Sequence, residues 1–278
     1  MNPFNPILVE ENYNDPKYLS EHQYGDAGNL NARIDIHRRF STADQAWHDF
    51  VFEHLPVGLG VQGLALGCGN ASQWRENQAR FPSDFHMVLS EFSYGMLEEP
   101  VRAFREDERF SLCVMDAQRI AFEANQFDFV TANHMLYHVP DVDLALSEVA
   151  RVLKPEGMLM AATNGERHMA ELDELLHQFD PRFEGEHVMS GVFNLQNGKN
   201  YLKEWFEDIE IILYPSDLLV SDAKLLADYA FSMPKVKDLF SSDQKGALEA
   251  FFQARMAKTG SIFIAKQTGL FIASKPRK

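Results

Sequence analysis

Val61-Gln-Gly-Leu-Ala-Leu-Gly-Cys-Gly-Asn70 is the stretch whose reading decides the fold. A short apolar run ends in Gly67-Cys68-Gly69, and Asn70-Ala-Ser72 is placed to start a helix. A strand that breaks at paired glycines and re-enters as a helix brings bare backbone N–H groups close to a ligand. Gly-x-Gly by itself is a weak signal, because any tight strand–helix turn can use it. Its weight comes from the regular alternation of strand and helix patterns downstream.

Strand-like runs recur at 61–66, 85–90, 110–115, 127–132 and 157–163, with helical patterns between them. The clearest helix is predicted over Val142–Leu153, where Leu144, Leu146, Val149, Val152 and Leu153 share one broad face, and Lys154-Pro-Glu-Gly157 ends it. Repeated strand–helix units with short connections predict a parallel sheet covered by helices on both faces. Further on, Ile209–Tyr214, Ser261–Ile264 and Leu270–Ser274 are strand-like and Lys235–Lys258 is helical, which suits an antiparallel edge added to that sheet. The segment at about 165–206 fits the alternation poorly. It opens with a helical pattern around His168–Phe179 and reads as a cap insertion over the carboxyl ends of the strands, where open α/β sheets bind ligands. Residues 1–25 lack periodicity and read as an arm or lid, with helices between Asn31 and Leu55. The expected organisation is an N-terminal arm and lid helices over 1–55, followed by one domain over 56–278.

The chain has 278 residues, 45% hydrophobic and 24% charged, enough for a sizeable core. Its 41 acidic and 26 basic residues leave a formal charge of −15, which repels phosphate backbones. Nucleic acid is therefore a poor substrate, and a small neutral or basic molecule a better one. Two cysteines, Cys68 and Cys113, make neither a disulfide framework nor a metal cluster. Met1-Asn-Pro-Phe-Asn-Pro6 lacks the features of a secretory leader, and no apolar run reaches membrane-spanning length. A soluble, cytoplasmic protein with no membrane partner is expected.

Candidate binding residues sit where the strands end. Met87-Val-Leu-Ser-Glu91 closes the second strand with a carboxylate able to accept from both hydroxyls of a ribose. Ser111-Leu-Cys-Val-Met-Asp116 closes the third. Asp116 could accept from an exocyclic amine while the N–H of Ala117 donates to a ring nitrogen; it could equally cap a following helix. The fourth run, Phe127-Asp-Phe-Val-Thr-Ala-Asn133, continues into His134-Met-Leu-Tyr-His138 and places Asn133, His134, Tyr137 and His138 at the same edge.

Together, Gly67-Cys-Gly69, Glu91, Asp116-Ala117, the Phe127–Val139 segment and Arg151-Val-Leu-Lys-Pro-Glu-Gly157 resemble the class I S-adenosylmethionine-dependent methyltransferases, over roughly residues 60–165. Ser93-Tyr-Gly-Met-Leu97 resembles the segment that opens the next helix in that family. The resemblance implies a Rossmann-like, doubly wound seven-stranded sheet, mostly parallel with an antiparallel edge strand, plus a helical lid and a cap. It implies S-adenosyl-L-methionine as cofactor. Gly67, Cys68 and Gly69 would pass beneath the methionine moiety, Glu91 with the following Phe92 would lie at the ribose, and Asp116 and Ala117 at the adenine. Asn133 and His134 would lie beside the sulfonium. Tyr24-Gly-Asp-Ala-Gly-Asn-Leu-Asn-Ala-Arg33 resembles the lid of some small-molecule methyltransferases, so that Arg33 could pair with the cofactor carboxylate and Tyr13, Tyr18 and Tyr24 could close over the pocket. Cys68 is common at that position in the family without chemical use.

Two positions depart from the family pattern. Ala65 stands where an acid is usual, and Ala71 where a glycine is usual. Loss of the acid would cost about 1.5–3 kcal/mol, roughly ten- to a hundredfold in affinity. Ala71 is expected to be the milder change, alanine being comfortable in a helix first turn.

If the acceptor is a hydroxyl, a base helps the transfer, and histidine is the natural type. His134, His138, His168 and His187 are near the expected pocket; His168 and His134 rank first, with His138 propping the loop. No metal site is expected. The leading reading is methyl transfer to O or N of a small-molecule acceptor. The alternatives are a methyltransferase-like protein that binds ligand without transfer, motivated by Ala65 and Ala71, and an RNA or protein methyltransferase, disfavoured by charge. A homodimer is left open.

Overall fold

The computed structural model describes residues 28–185 and 192–277, with side chains from Arg33 onward. The arm over 1–25, with Tyr13, Tyr18 and Tyr24, and also His187 lie outside the described residues. Helices α1 (Gly28–Phe40) and α2 (Trp47–Glu53) lead into β1 (Gln62–Leu66), α3 (Ser72–Glu76), β2 (His86–Glu91), α4 (Glu98–Phe104), β3 (Phe110–Val114), β4 (Phe127–Asn133), α5 (Val142–Val152) and β5 (Leu153–Asn164). The chain continues through α6 (Ala170–Phe179), α7 (Gly198–Trp205), β6 (Phe206–Leu213), β7 (Leu218–Val220), α8 (Ala223–Ala230), α9 (Pro234–Leu239), α10 (Gln244–Thr259), β8 (Ile262–Ile264) and β9 (Thr268–Pro276).

Seven strands form one sheet in the order β3-β2-β1-β4-β5-β9-β6. The first five are parallel, and β9 runs antiparallel to both its neighbours. The antiparallel strand therefore lies one place inside the sheet, and β6 takes the edge. Ser261–Ile264, expected beside it, pairs instead with β7 in a separate two-stranded sheet.

Strand residues alternate between two apolar cores, as a sheet buried on both faces requires. Leu64, Leu66, Val130, Leu159 and Ala161 face α5 and α7; Ala65, Phe129, Met160 and Ala162 face α2, α3 and α4. Each large side chain so buried contributes about 1.5–3 kcal/mol. Helix α5 buries Val142, Ala145, Leu146, Val149, Ala150 and Val152, and Asp141 caps it by accepting from the Leu144 N–H at 2.9 Å. Leu144, expected on the apolar face, is exposed, because the buried face is centred on Leu146 and Val149. The Lys154–Gly157 segment does end the helix, but as the start of β5: the pairing with β4 steps from Phe127↔Leu153 to Phe129↔Met158, so the intervening residues bulge.

A third core joins α1, α6, α8, α9, α10, β7 and β8, with Leu172, Leu176, Phe183, Leu226, Phe240 and Phe252 at its centre. Apart from α1, which precedes β1, these elements follow β5 and β6 in the chain, so the cover draws on much more of it than 165–206. Within that range, α7 packs back against the sheet through Leu202. The long helix expected over 235–258 is two helices, because Phe240 turns inward onto Phe179 and Phe183 and interrupts it.

Candidate active site

Beyond Leu66 the chain turns through Gly67 (φ 62°) and Gly69 (φ 57°). A Cβ at Gly67 would lie 2.9 Å from Cβ of Met135, so glycine is what lets the turn approach the loop after β4. The Cys68 N–H donates to the Ser90 carbonyl at 2.9 Å, and the Ser90 hydroxyl to the Ala65 carbonyl at 2.8 Å. Gly69 N–H then donates to Oε2 of Glu91 and Phe92 N–H to Oε1, both at 2.9 Å. Glu91 thus fastens the glycine turn to the end of β2. Burial raises its carboxyl above the ordinary range, against the N–H groups of Gly69, Phe92 and Ser93, which pull it down. The Cys68 thiol is pushed well up, by burial first and then by Glu91, which makes it a poor nucleophile.

Ala71 corrects the sequence reading. Its φ of 56° puts it in the left-handed region just before α3, outside the helix first turn, so the missing glycine strains the backbone. Asn70 caps the turn instead, its Oδ1 accepting from the Ser72 N–H (3.1 Å) and hydroxyl (2.7 Å). Asp116 likewise caps a turn: Oδ1 accepts from Gln118 N–H at 2.9 Å, and no helix follows. Ala117 beside it is buried.

Across from the glycine turn, loops from distant parts of the chain meet. His134 has φ 55°, donates its N–H to the Ala162 carbonyl (2.9 Å) and packs 5.4 Å from the Trp47 ring. Burial, then the charges of Lys266 and His48, lowers its pKa to about 4. His168 accepts at Nδ1 from the Gln267 N–H at 3.1 Å. Burial and then the Lys266 charge lower it to about 3. His37 on α1 is buried, with Nδ1 unpartnered among the described residues, 6.3 Å from His168 between ring centres. Asn133 Oδ1 is also buried without a partner among those residues. Arg33 donates to the Ser232 hydroxyl (3.1 Å) and carbonyl (2.8 Å), which docks α1 on the turn after α8.

Every residue singled out for the site that lies among the described residues lines one cleft of about 680 Å³, a size suited to a small ligand and its partner. Gly67, Cys68, Gly69, Glu91, Phe92, Asp116 and Ala117 form one part, and Asn133, His134, His168 and Arg33 border the other. Tyr24 lies outside the described residues. The sequence reading missed Lys266 and Tyr214 as wall residues. The one hint was a lysine sitting between two apolar strand runs. Burial pulls the Lys266 ammonium down to about 8. Among the described residues no three His, Cys, Asp or Glu side chains converge as a metal cage would need. No described helix is long and apolar enough to cross a membrane.

A glycine turn and a strand-end carboxylate at the carboxyl edge of a parallel sheet are the arrangement of open α/β domains that bind ligands at their strand ends. Residues 64–161 match the family described as Methyltransferase domain. Demethylmenaquinone methyltransferase of Staphylococcus saprophyticus is 31% identical over 135 residues, a stretch that spans 48% of this chain and 58% of that protein's length. Among solved structures, Haemonchus contortus phosphoethanolamine N-methyltransferase 2, with phosphomonomethylethanolamine and S-adenosylhomocysteine, aligns with a TM-score of 0.60 at 21% identity, covering 95% of this chain and 60% of that one. The [4+2]-cyclase SpnF aligns with a TM-score of 0.59 at 17% identity, covering 95% and 97%. At these identities the structural likenesses establish the fold. Over residues 64–161 the chain is thus similar to the class I S-adenosylmethionine-dependent methyltransferases, and the aligned stretch spans little more than half the length of the Staphylococcus relative.

Proposed function

We propose that this chain transfers a methyl group from S-adenosylmethionine to an oxygen or nitrogen of a small-molecule acceptor held in the cleft. The observation that carries the reading is Glu91, a half-buried carboxylate locked to the glycine turn at the cleft wall. In this reading Glu91 takes the ribose hydroxyls and Asp116 with Ala117 takes the adenine. The orphaned Oδ1 of Asn133 is an acceptor suited to the cofactor's ammonium. Arg33 would have to give up Ser232 to hold the cofactor's carboxylate. When bound, the cofactor supplies a methyl group on a positively charged sulfur.

The protein's part is placement and exclusion of water. His134 and His168 are held neutral, but bases this weak draw a proton poorly from a hydroxyl near neutral pH. With Nδ1 accepting from Gln267, neutral His168 carries its proton on Nε2 and can donate to an acceptor. His168 is thus an orienting donor, and His134 shapes the wall beside the sulfonium. A small-molecule acceptor fits the walled cleft and the acidic surface, and the Staphylococcus relative is named for one.

A second reading, ligand binding without transfer, is favoured by Ala65, a buried methyl where the family has an acid. The experiment is a melting-temperature titration with S-adenosylmethionine and S-adenosylhomocysteine, followed by turnover with a panel of small acceptors. Binding raises the melting temperature. No shift at millimolar ligand overturns the methyltransferase reading, while a shift without any turnover supports the second.

A further inference from the structure

Lys266 sits in the loop between β8 and β9, and that loop is pinned to the segment after β5. Gly165 N–H donates to the Gln267 carbonyl (2.8 Å), Met169 N–H to the Ala265 carbonyl (3.0 Å), and Ala265 N–H to Oε2 of Glu171 (2.9 Å). The lysine is therefore held in a frame. Its Nζ lies 5.3 Å from the centre of the Tyr214 ring and 3.4 Å from the Ser216 hydroxyl, a long contact. Among the described residues no carboxylate lies within ion-pair distance of that ammonium. Asp217, the acid whose charge it feels, accepts at Oδ1 from Lys266's own backbone N–H at 3.0 Å. Lys266 lines the same cleft as His37, His134, His168 and Tyr214, and its positive charge helps keep all three imidazoles neutral. An unpaired, part-buried cation on a ligand cleft is what an anion would complete.

We propose that Lys266 determines acceptor specificity, its ammonium together with His168 Nε2–H taking an anionic oxygen of the acceptor, either a carboxylate or an ionised ring hydroxyl. The proposal rests on the methyltransferase reading for the word acceptor. It also accounts for the two weak histidine bases, since an acceptor that arrives ionised has no proton to lose. The same loop serves both contacts: Lys266 supplies the charge, and the next N–H, of Gln267, sets the His168 tautomer.

The test uses the full chain loaded with S-adenosylhomocysteine and two matched probe pairs, benzoate with benzamide and 4-nitrophenolate with 4-nitroaniline, titrated by ligand-observed NMR. At pH 7.5 the anion of at least one pair is expected to bind about tenfold or more tightly than its neutral twin. Preference in the first pair identifies a carboxylate, and in the second an ionised hydroxyl. Lys266→Met is expected to bring the ratio to about one and Lys266→Arg to keep it, with S-adenosylhomocysteine affinity changed less than about twofold in either. The preference is also expected to fall as pH rises through about 8, where Lys266 loses its charge. Of the groups around it, Asp217 is the acid whose charge it feels, Tyr214 is raised above its usual range by burial, and the three histidines are already neutral. No anion preference in the parent protein, weak binding of all four probes included, overturns the proposal; so does a preference that survives in Lys266→Met. Failure of S-adenosylhomocysteine to bind is a separate result, and it overturns the methyltransferase reading.

Discussion

The two parts of the cleft are built differently. The part proposed for the cofactor is made of strand ends and the turns just beyond them, and its main polar link, Glu91 to Gly69, spans 22 residues. The part proposed for the acceptor is made of loops brought together from across the chain: Arg33 meets Ser232 at a separation of 199 residues, and Gln267 meets His168 at 99. The first keeps a carboxylate among backbone N–H groups. The second keeps neutral imidazoles around a lysine. The difference suggests a division of labour, in which a local frame binds a common ligand and a composite wall chooses the particular one.

Substitutions can break this contrast if it is wrong. The largest effect is expected from Glu91→Ala, which removes the proposed ribose acceptor and frees the Gly69 and Phe92 N–H groups. Cofactor affinity, followed by calorimetry with S-adenosylhomocysteine, should fall about ten- to a hundredfold or more. An unchanged affinity would mean the ribose lies elsewhere. His168→Ala should slow turnover about tenfold, the scale of one lost hydrogen bond, while leaving cofactor affinity within about twofold. Equal loss of both would erase the boundary between the two parts.

The imidazoles also tie the acceptor part to pH. His134 and His168 have folded-state pKa values of about 4 and about 3, below the usual 6.5. Such groups contribute stability that is present above pH 6.5 and lost as the pH falls towards 4 and then 3. Urea midpoints should therefore decline from pH 7 to pH 4, and His168→Asn should make that decline shallower; a parent protein with level midpoints over that range would show that the rings are not held neutral. The smallest effect is expected at Ala71→Gly. Relief of the left-handed backbone and loss of a buried methyl offset each other, so stability should change by less than about 1 kcal/mol, measured by denaturant titration.

Much of this architecture is legible in the sequence. Five strands and the helix over Val142–Val152 come from apolar runs whose spacing is local, and Glu91 and Asp116 stand at strand ends for the same reason. Leu144 and the split at Phe240 were not legible, because which side of a helix is buried depends on what covers it. The strain at Ala71 was missed because composition reports a helix former without reporting its φ. Lys266 was missed because its one local hint, a place between two apolar strand runs, does not say which residues far off in the chain surround it.

The chain's order of residues by itself determined the sheet, the glycine turn and the acid that holds it, since these rest on alternation and short-range hydrogen bonds. Only the tertiary structure decided where β9 inserts, which loops wall the far part of the cleft, and that the histidines are neutral around a lysine. Those outcomes depend on burial and on charges far apart in the chain, and neither is written in any one segment.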